Sequence, residues 1–258
     1  MHILVLPSWF ENTQTPTLGS FFKDQALALT ALNHKVAIVY PHVISLKKLS
    51  YWRLAKCYKS QGSDMSIYTH CYFSIPFFRK YNIANRVKNF EKLVKAYISK
   101  YGKPDVFHAH SCALGPAGSA GIAAKSLADK YNIPVVITEH GSAYKTKHYH
   151  ANDVPQMLAA LNDCDALLAV SPSLKNDLVN FGVNRTIDVI GNIVDTKMFK
   201  PDLIVQNNTD KPYTFVVIAY LRPIKRIDLI IKAFKKVNDN NTNTHLKIIG
   251  NGEQKNDL

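Results

Sequence analysis

Short apolar runs recur along the chain at residues 3–6, 36–40, 65–73, 106–109, 135–138, 166–170 and 187–190. Each has the length of a strand buried on both faces of a sheet. Helical patterns fall between most of them. After Gly19, Phe21, Phe22, Gln25, Ala26, Leu29 and Leu32 repeat at spacings of three and four from Ser20 until Asn33-His34, a turn-like stop, so a helix is predicted there. A second helix is predicted over 84–101, with Val87, Phe90, Leu93, Val94, Tyr97 and Ile98 on one face and Arg86, Lys88, Lys92, Lys95 and Lys100 elsewhere. Strand and helix in alternation predict an α/β fold, a parallel sheet with helices on both faces.

The pattern changes near residue 200. A polar, uneven stretch, 206–212, reads as part of a linker over 201–212. Beyond it come a strand over 213–220, a helix over 227–237 and a strand over 246–249, a single βαβ unit. The expected organisation is one Rossmann-like domain over 1–200 and the start of a second over 213–258. A lone βαβ unit cannot cover both faces of its sheet, so the natural protein is expected to continue past residue 258.

Composition refines this picture in two ways. The 258 residues are 47% hydrophobic and 20% charged, which excludes disordered and low-complexity classes. With 32 Lys and Arg against 19 Asp and Glu, the net charge of +13 points to an acidic partner: nucleic acid, an anionic membrane surface or a phosphorylated small molecule. No apolar run is long enough for a membrane span, and the N-terminal run is too short for a signal peptide, so a cytoplasmic protein is expected. The basic stretch Lys47, Lys48, Arg53, Lys56 and Lys59, interleaved with Tyr51, Trp52 and Leu54, and the basic helix over 84–101 read either as solvated surface or as a peripheral contact with anionic lipid. Four scattered cysteines without CxxC spacing suggest neither zinc nor disulfides.

Candidate chemistry gathers at predicted strand ends. The loop after the first strand ends at Gly19-Ser20, where a helix N-terminus offers amides to an anion; this is no GxGxxG fingerprint. His108-Ala109-His110 closes the fourth run and Glu139-His140-Gly141 the fifth, so both lie on the carboxyl edge, where open α/β sheets bind ligands. Period two puts His108 and His110 on one face. No further ligand follows at metal-binding spacing, and no metal is expected. In the second unit, Arg222, Lys225 and Arg226 lie between a strand end and a helix start, where positive charge is unfavourable unless an anion meets it. A diphosphate is the predicted partner, with Lys as a point charge and Arg as a fork. Gly250 and Gly252, at the end of the next strand, allow close backbone approach to a ligand.

These residues, in this order, resemble the retaining, nucleotide-sugar-dependent glycosyltransferases of family 4, the glycosyl group 1 transferases, with the two-Rossmann GT-B fold. Ser8-Trp9-Phe10 with Pro16, Gly19 and Phe21, then His108-Ala109-His110, Thr138-Glu139-His140-Gly141, Ser171-Pro172-Ser173, the stretch 189–201 around Gly191-Asn192-Ile193, 219–228 and 246–253 carry the resemblance. It implies an acceptor-binding N-terminal domain, a donor-binding C-terminal domain and transfer in the cleft between them. By resemblance, Gly19 faces donor and acceptor phosphates, His140 is the catalytic residue at the sugar, and Arg222, Lys225, Gly250 and Gly252 serve the donor phosphates. Ser20, His110, Glu139 and Asn192 line the acceptor side or cleft. The implied partners are a nucleotide-diphosphate sugar and a glycan or lipid-linked acceptor in cell-envelope or polysaccharide synthesis, with no cofactor.

The chain departs from the family pattern at several points. Ala219-Tyr220 stands where Gly-Arg is common, with Arg222 two residues on; Arg226 replaces the glycine after the lysine; Gly191-Asn192-Ile193 replaces Pro-Asn-Gly. The Glu-containing donor motif is absent, so the 258 residues alone are expected to lack transferase activity. Two rival classes stand beside this reading. One is a GT-B enzyme of other chemistry, such as a nucleotide-sugar epimerase. The other is a basic nucleic-acid-binding protein, against which stands the lack of a helix-turn-helix, finger or RNP-like pattern.

Overall fold

A computed structural model describes residues 1–11, 16–45, 65–75, 77–113, 120–201 and 212–258. The predicted basic stretch at 47–59 and most of the predicted linker lie outside the described residues. The chain divides into two compact units, Met1–Phe199 and Lys200–Leu258.

In the first unit, β1 (His2–Pro7), β2 (Lys35–Ser45), β3 (Ser66–Ser74), β4 (Val106–His110), β5 (Val135–Glu139), β6 (Ala166–Ala169) and β7 (Asp188–Val189) form one sheet. Its order is β3-β2-β1-β4-β5-β6-β7 and every neighbouring pair is parallel. Consecutive residues Leu4, Val5 and Leu6 are all buried, as are Ala37, Ile38 and Val39, because helices cover both faces. Those helices are α1 (Ser20–Ala31), α2 (Arg79–Tyr101), α3 (Ala120–Tyr131), α4 (Val154–Asp163) and α5 (Pro172–Phe181).

The predicted parallel α/β sheet is present, with shifted ends. β2 and the helix over the 80s and 90s run longer than the apolar pattern indicates. α2 starts at Arg79 because its first turn is held by tertiary contacts rather than by apolar spacing: Arg79 pairs with Asp153, Nε lying 2.9 Å from Oδ1, and the Asn82 side chain bonds both the amide and carbonyl of Ile75. The last strand shrinks to Asp188–Val189, an exposed edge with one neighbour.

The strand order dictates where the site lies. From β1 the chain builds outward to β2 and β3 on one side, and through β4 to β7 on the other. The direction of winding therefore reverses between β1 and β4, and the loops at their carboxyl ends part to leave a crevice. Pro7 and His110 are register partners at that point. Ser8 ties the crevice walls together: its amide donates to His110 O at 3.1 Å, its hydroxyl donates to Ser111 O at 2.8 Å and accepts from the Ala120 amide at the start of α3 at 2.9 Å. Arg86 of α2, buried, donates to Ser8 O at 2.7 Å and lies over the Tyr40 and Phe90 rings.

The second unit contains β8 (Tyr213–Ile218), α6 (Ile227–Asn240) and β9 (Thr244–Ile249), with a short 3-10 turn at Pro223–Lys225 before the helix. β8 and β9 are parallel and in register from Tyr213–Thr244 to Ile218–Ile249. Tyr213, Val216 and Ile218 are largely exposed.

Candidate functional site

The crevice of the first unit is lined from three strand ends. β1 runs into Ser8-Trp9-Phe10, β4 ends in His110 and β5 in Glu139, followed by His140. Because β4 and β5 pair with His110 opposite Thr138, the last residue of β4 and the first residue past β5 meet. His110 Nδ1 and His140 Nε2 are 3.0 Å apart, sharing one proton donor between two rings. α1 supplies the other wall: the Phe22 ring lies tilted 4.6 Å from His110 and meets His140 edge-on at 5.2 Å, and Phe21 lies 4.9 Å from His140.

This apolar enclosure sets the charge state. Burial lowers the His140 pKa to about 4, with His108 adding to the effect, so the ring is neutral at pH 7. Burial also brings His108 to about 4 and holds His110 well below its ordinary value, where His108 and His140 reinforce the shift. His108 is anchored on Thr138, its Nε2 2.8 Å from Oγ1, and lies 4.3 Å from the His110 ring, so period two does place both on one face. His140 Nδ1, by contrast, is buried without a hydrogen-bond partner among the described residues. A buried unmatched ring nitrogen costs about 1–3 kcal/mol, which a ligand hydroxyl would offset.

Glu139 is fully buried behind this pair. Its Oε1 accepts from the Cys112 amide at 2.5 Å and from the Tyr144 hydroxyl at 2.7 Å, so it joins the loops after β4 and β5. Burial raises its pKa to about 7, although Tyr144, the Cys112 and His140 amides and the Ser111 hydroxyl all favour the anion. Among the described residues Oε2 has no partner in hydrogen-bonding geometry. Glu139 thus holds the loops and carries a proton that is half occupied near neutrality.

Gly19 caps α1 in the left-handed conformation, φ 73. A Cβ there would come 2.9 Å from the Phe22 ring and 3.0 Å from Trp9 O. Gly19→Ala is therefore expected to destabilise the fold by about 1–3 kcal/mol, through positive φ and displacement of the Phe22 ring from the histidines. A urea midpoint unchanged from wild type would contradict this. Among the described residues no side chain caps α1, and no acid occupies its first turn. Ser20, its first residue, is exposed, as is Asn192 on the segment after β7; among the described residues neither side chain reaches the histidine pair.

In the second unit the three cations differ sharply. Arg226 has φ 50 and ψ 42, the left-handed region that glycine adopts freely, and its guanidinium forks onto both oxygens of Asp228 at 3.1 Å. That pairing lowers the Asp228 pKa. Arg222 lies over the Tyr220 ring at 5.5 Å. Arg222 and Lys225 make no ion pair among the described residues, leaving these two cations beside the start of α6. Gly250 and Gly252 are packed against the chain itself: a Cβ would fall 1.9 Å from Ala219 O and 2.4 Å from Leu221 O. Their lack of side chains lets the ends of β8 and β9 stay paired, with Ala219 N bonding Ile249 O and Leu221 N bonding Asn251 O. Among the described residues no group of three or more His, Cys, Asp or Glu is placed to hold a metal.

Sequence reasoning did not single out Tyr144 and Cys112, which hold Glu139, or Asp228, which occupies Arg226. The Arg-Ile-Asp spacing was the available signal for the last; nothing local marks the other two.

Residues 18–198 match the profile of Glycosyltransferase Family 4, and residues 199–258 match that of Glycosyl transferases group 1. The chain belongs to glycosyltransferase family 4, enzymes of nucleotide-sugar chemistry. No curated protein matches it significantly. Among solved structures it is similar to the catalytic domain of Starch Synthase IV from Arabidopsis thaliana bound to ADP and acarbose, at 12% identity and TM-score 0.59, covering 98% of this chain and 69% of that one. It is also similar to Anabaena Alr3699/HepE in complex with UDP-glucose, at 13% identity and TM-score 0.56, covering 96% and 68%. The fold is of the GT-B type.

Proposed function

We propose that the protein transfers a sugar, with retention at the anomeric carbon, from a nucleotide-diphosphate sugar to a glycan or lipid-linked acceptor in cell-envelope or polysaccharide synthesis. The observation that carries this reading is the buried, neutral His110–His140 pair at the topological switch point, with His140 Nδ1 free for a ligand. A neutral imidazole in a dry crevice suits a sugar hydroxyl, which can either donate or accept. The two similar folds named above hold UDP-glucose in one case and ADP with acarbose in the other, in each case a nucleoside diphosphate and a sugar, which supports a nucleotide-sugar donor.

In the transfer, the bond between the anomeric carbon and the diphosphate oxygen breaks with its electron pair leaving on the diphosphate. The acceptor oxygen bonds to the same face of that carbon and its proton goes to the departing diphosphate. Lys225 and Arg222 meet the charge that builds there, which lowers the barrier without a metal. Gly250 and Gly252 serve the same phosphates by keeping the ends of β8 and β9 together, and Gly19 turns the chain into α1, whose positive end favours phosphate. His140 orients the sugar; His110, Glu139, Ser20 and Asn192 serve the sugar and acceptor. The enzyme works at the inner face of the plasma membrane as a peripheral protein; among the described residues no helix is long and apolar enough to cross a membrane.

The test is a transfer assay of the full-length protein with a panel of sugar-labelled UDP, GDP, ADP and dTDP donors. The expected result is labelled acceptor and free nucleoside diphosphate in equal amounts, with His140→Ala reducing the rate about 100-fold. Release of an epimerised nucleotide sugar, or no transfer from any donor, would overturn the reading.

A further inference from the structure

The first turn of α2 and the turn before it expose an unusual set of side chains. Phe77 is fully exposed, Phe78 63% and Tyr81 52% exposed, with Ile75 beside them. Clustered aromatics on a surface cost hydration free energy that a monomer in water does not recover. Phe77 also sits at φ 68, in the left-handed region that a bulky side chain rarely enters, at a cost of about 1 kcal/mol. The turn is nonetheless pinned. Asn82 bonds both backbone groups of Ile75 at 2.9 and 2.7 Å, the Asn82 amide donates to Phe78 O at 2.9 Å, and Arg79 is tied to Asp153. Backbone strain held in place by surrounding contacts marks a segment shaped for a task. Here it presents two aromatic rings outward.

The rest of the helix shows what those rings would meet. The core face of α2 carries Ile83, Phe90, Leu93, Val94 and Tyr97. At 100° per residue, Tyr81, Lys88, Lys92 and Lys95 fall within about 60° of one another on the opposite face, and all four are exposed. Lys80 and Lys100 flank this stripe, which extends about 30 Å from Lys80 to Lys100 at 1.5 Å per residue. Among the described residues none of these lysines makes an ion pair, and the one acid of the helix, Glu91, is taken by Lys130 of α3. A stripe of unneutralised lysines ending in an aromatic wedge matches one chemistry: an anionic bilayer, where the charges meet headgroups and the rings enter the interface.

We propose that the outer face of α2, with the Phe77–Phe78 turn as an inserted wedge, docks the protein on anionic lipid. The turn follows β3, so it lies on the carboxyl edge of the sheet, the edge that carries His110 and His140. Docking there brings a lipid-linked acceptor to the edge where the crevice opens. This docking rests on the lipid-linked form of the function above.

The experiment is co-sedimentation of the full-length protein with vesicles of phosphatidylglycerol and phosphatidylcholine, against phosphatidylcholine alone. The expected result is binding to the anionic vesicles only. Lys88→Glu/Lys92→Glu/Lys95→Glu should weaken it about 100-fold, and Phe77→Ser/Phe78→Ser should remove the part that survives high salt. These positions are exposed, so the variants should keep the wild-type melting temperature. In addition, Phe77→Trp should show blue-shifted emission on anionic vesicles. No vesicle binding by the wild type, equal binding by the variants, or an unshifted Trp would overturn the proposal. Transfer to a soluble acceptor without vesicle binding would remove this surface and leave the enzyme; vesicle binding without transfer would do the reverse.

Discussion

Replacing Lys225 by Ala in the full-length enzyme is expected to reduce turnover or nucleotide-sugar binding at least about tenfold, as loss of a charge-assisted phosphate contact does. Three neighbouring cations differ in what already holds them. Arg226 already spends its fork on Asp228, in a two-residue geometry that needs no ligand. Arg222 lies over the Tyr220 ring, a contact that holds its guanidinium without neutralising it, so it supports the same phosphates beside Lys225. Lys225 is exposed in the 3-10 turn at the start of α6, without an ion pair among the described residues. A cation there is unfavourable beside a helix N-terminus until an anion arrives. Arg226→Ala should change turnover less than about threefold, because its charge is neutralised before any donor binds. Kinetics of the two variants side by side decide the point. Unchanged kinetics for Lys225→Ala, or a larger loss for Arg226→Ala, would remove Lys225 from the donor site.

The second large effect is on stability in acid. His108 and His140 have folded-state pKa values near 4 and His110 lies well below its ordinary value, so well above pH 6.5 they are neutral whether the protein is folded or not. As pH falls from 6.5 toward 4, the unfolded chain takes up protons that the folded one refuses, and stability is lost. Glu139 acts with the opposite sign. Its folded pKa of about 7 lies above the unfolded value, so the folded state holds the extra proton between about 4.5 and 7 and loses stability as pH rises through that window. Three protons against one leave a net loss on acidification of roughly 2–3 kcal/mol per pH unit at most. Set against domain stabilities of about 5–15 kcal/mol, this loss should lower the melting temperature steadily as pH falls from 6.5 to 5. Glu139→Gln isolates the opposing group. It should melt higher than wild type at pH 8, where the wild type buries an anion, and the difference should disappear by about pH 5. Melting temperatures of both proteins from pH 5 to 8 test this, and parallel curves would show that Glu139 does not titrate in the fold.

The sequence by itself determined the parallel sheet, because unbroken apolar runs such as 3–6 and 36–40 have no low-energy place except between two helical layers. It also placed His108, His110, Glu139 and His140 at strand ends, since apolar runs stop where chemistry-bearing residues begin. The helix over 84–101 was legible for the same reason, its core face repeating at helical spacing. Its start was not: Arg79 and Asn82 hold the first turn through Asp153 and Ile75, partners that periodicity does not register. Gly250 and Gly252 were legible as points of close approach, but that the approaching group is the backbone at Ala219 and Leu221 follows from how β8 and β9 pair.

Tertiary structure alone decided which residues meet. His110 and His140 are thirty positions apart, and only the β4–β5 register brings their rings to 3.0 Å. Their neutrality came from the same source, since Phe21 and Phe22 of α1 exclude water from side chains that would otherwise titrate near pH 6.5. The pairing of Arg226 with Asp228 separated one cation from two, and the pinned turn at Phe77 set two aromatic rings beside a lysine stripe that the one-dimensional pattern shows only as charge. Local propensity chooses elements from neighbours in the chain. A pKa, an unpartnered ring nitrogen or a surface patch is a sum over neighbours in space, and that sum exists only once the sheet has closed its order.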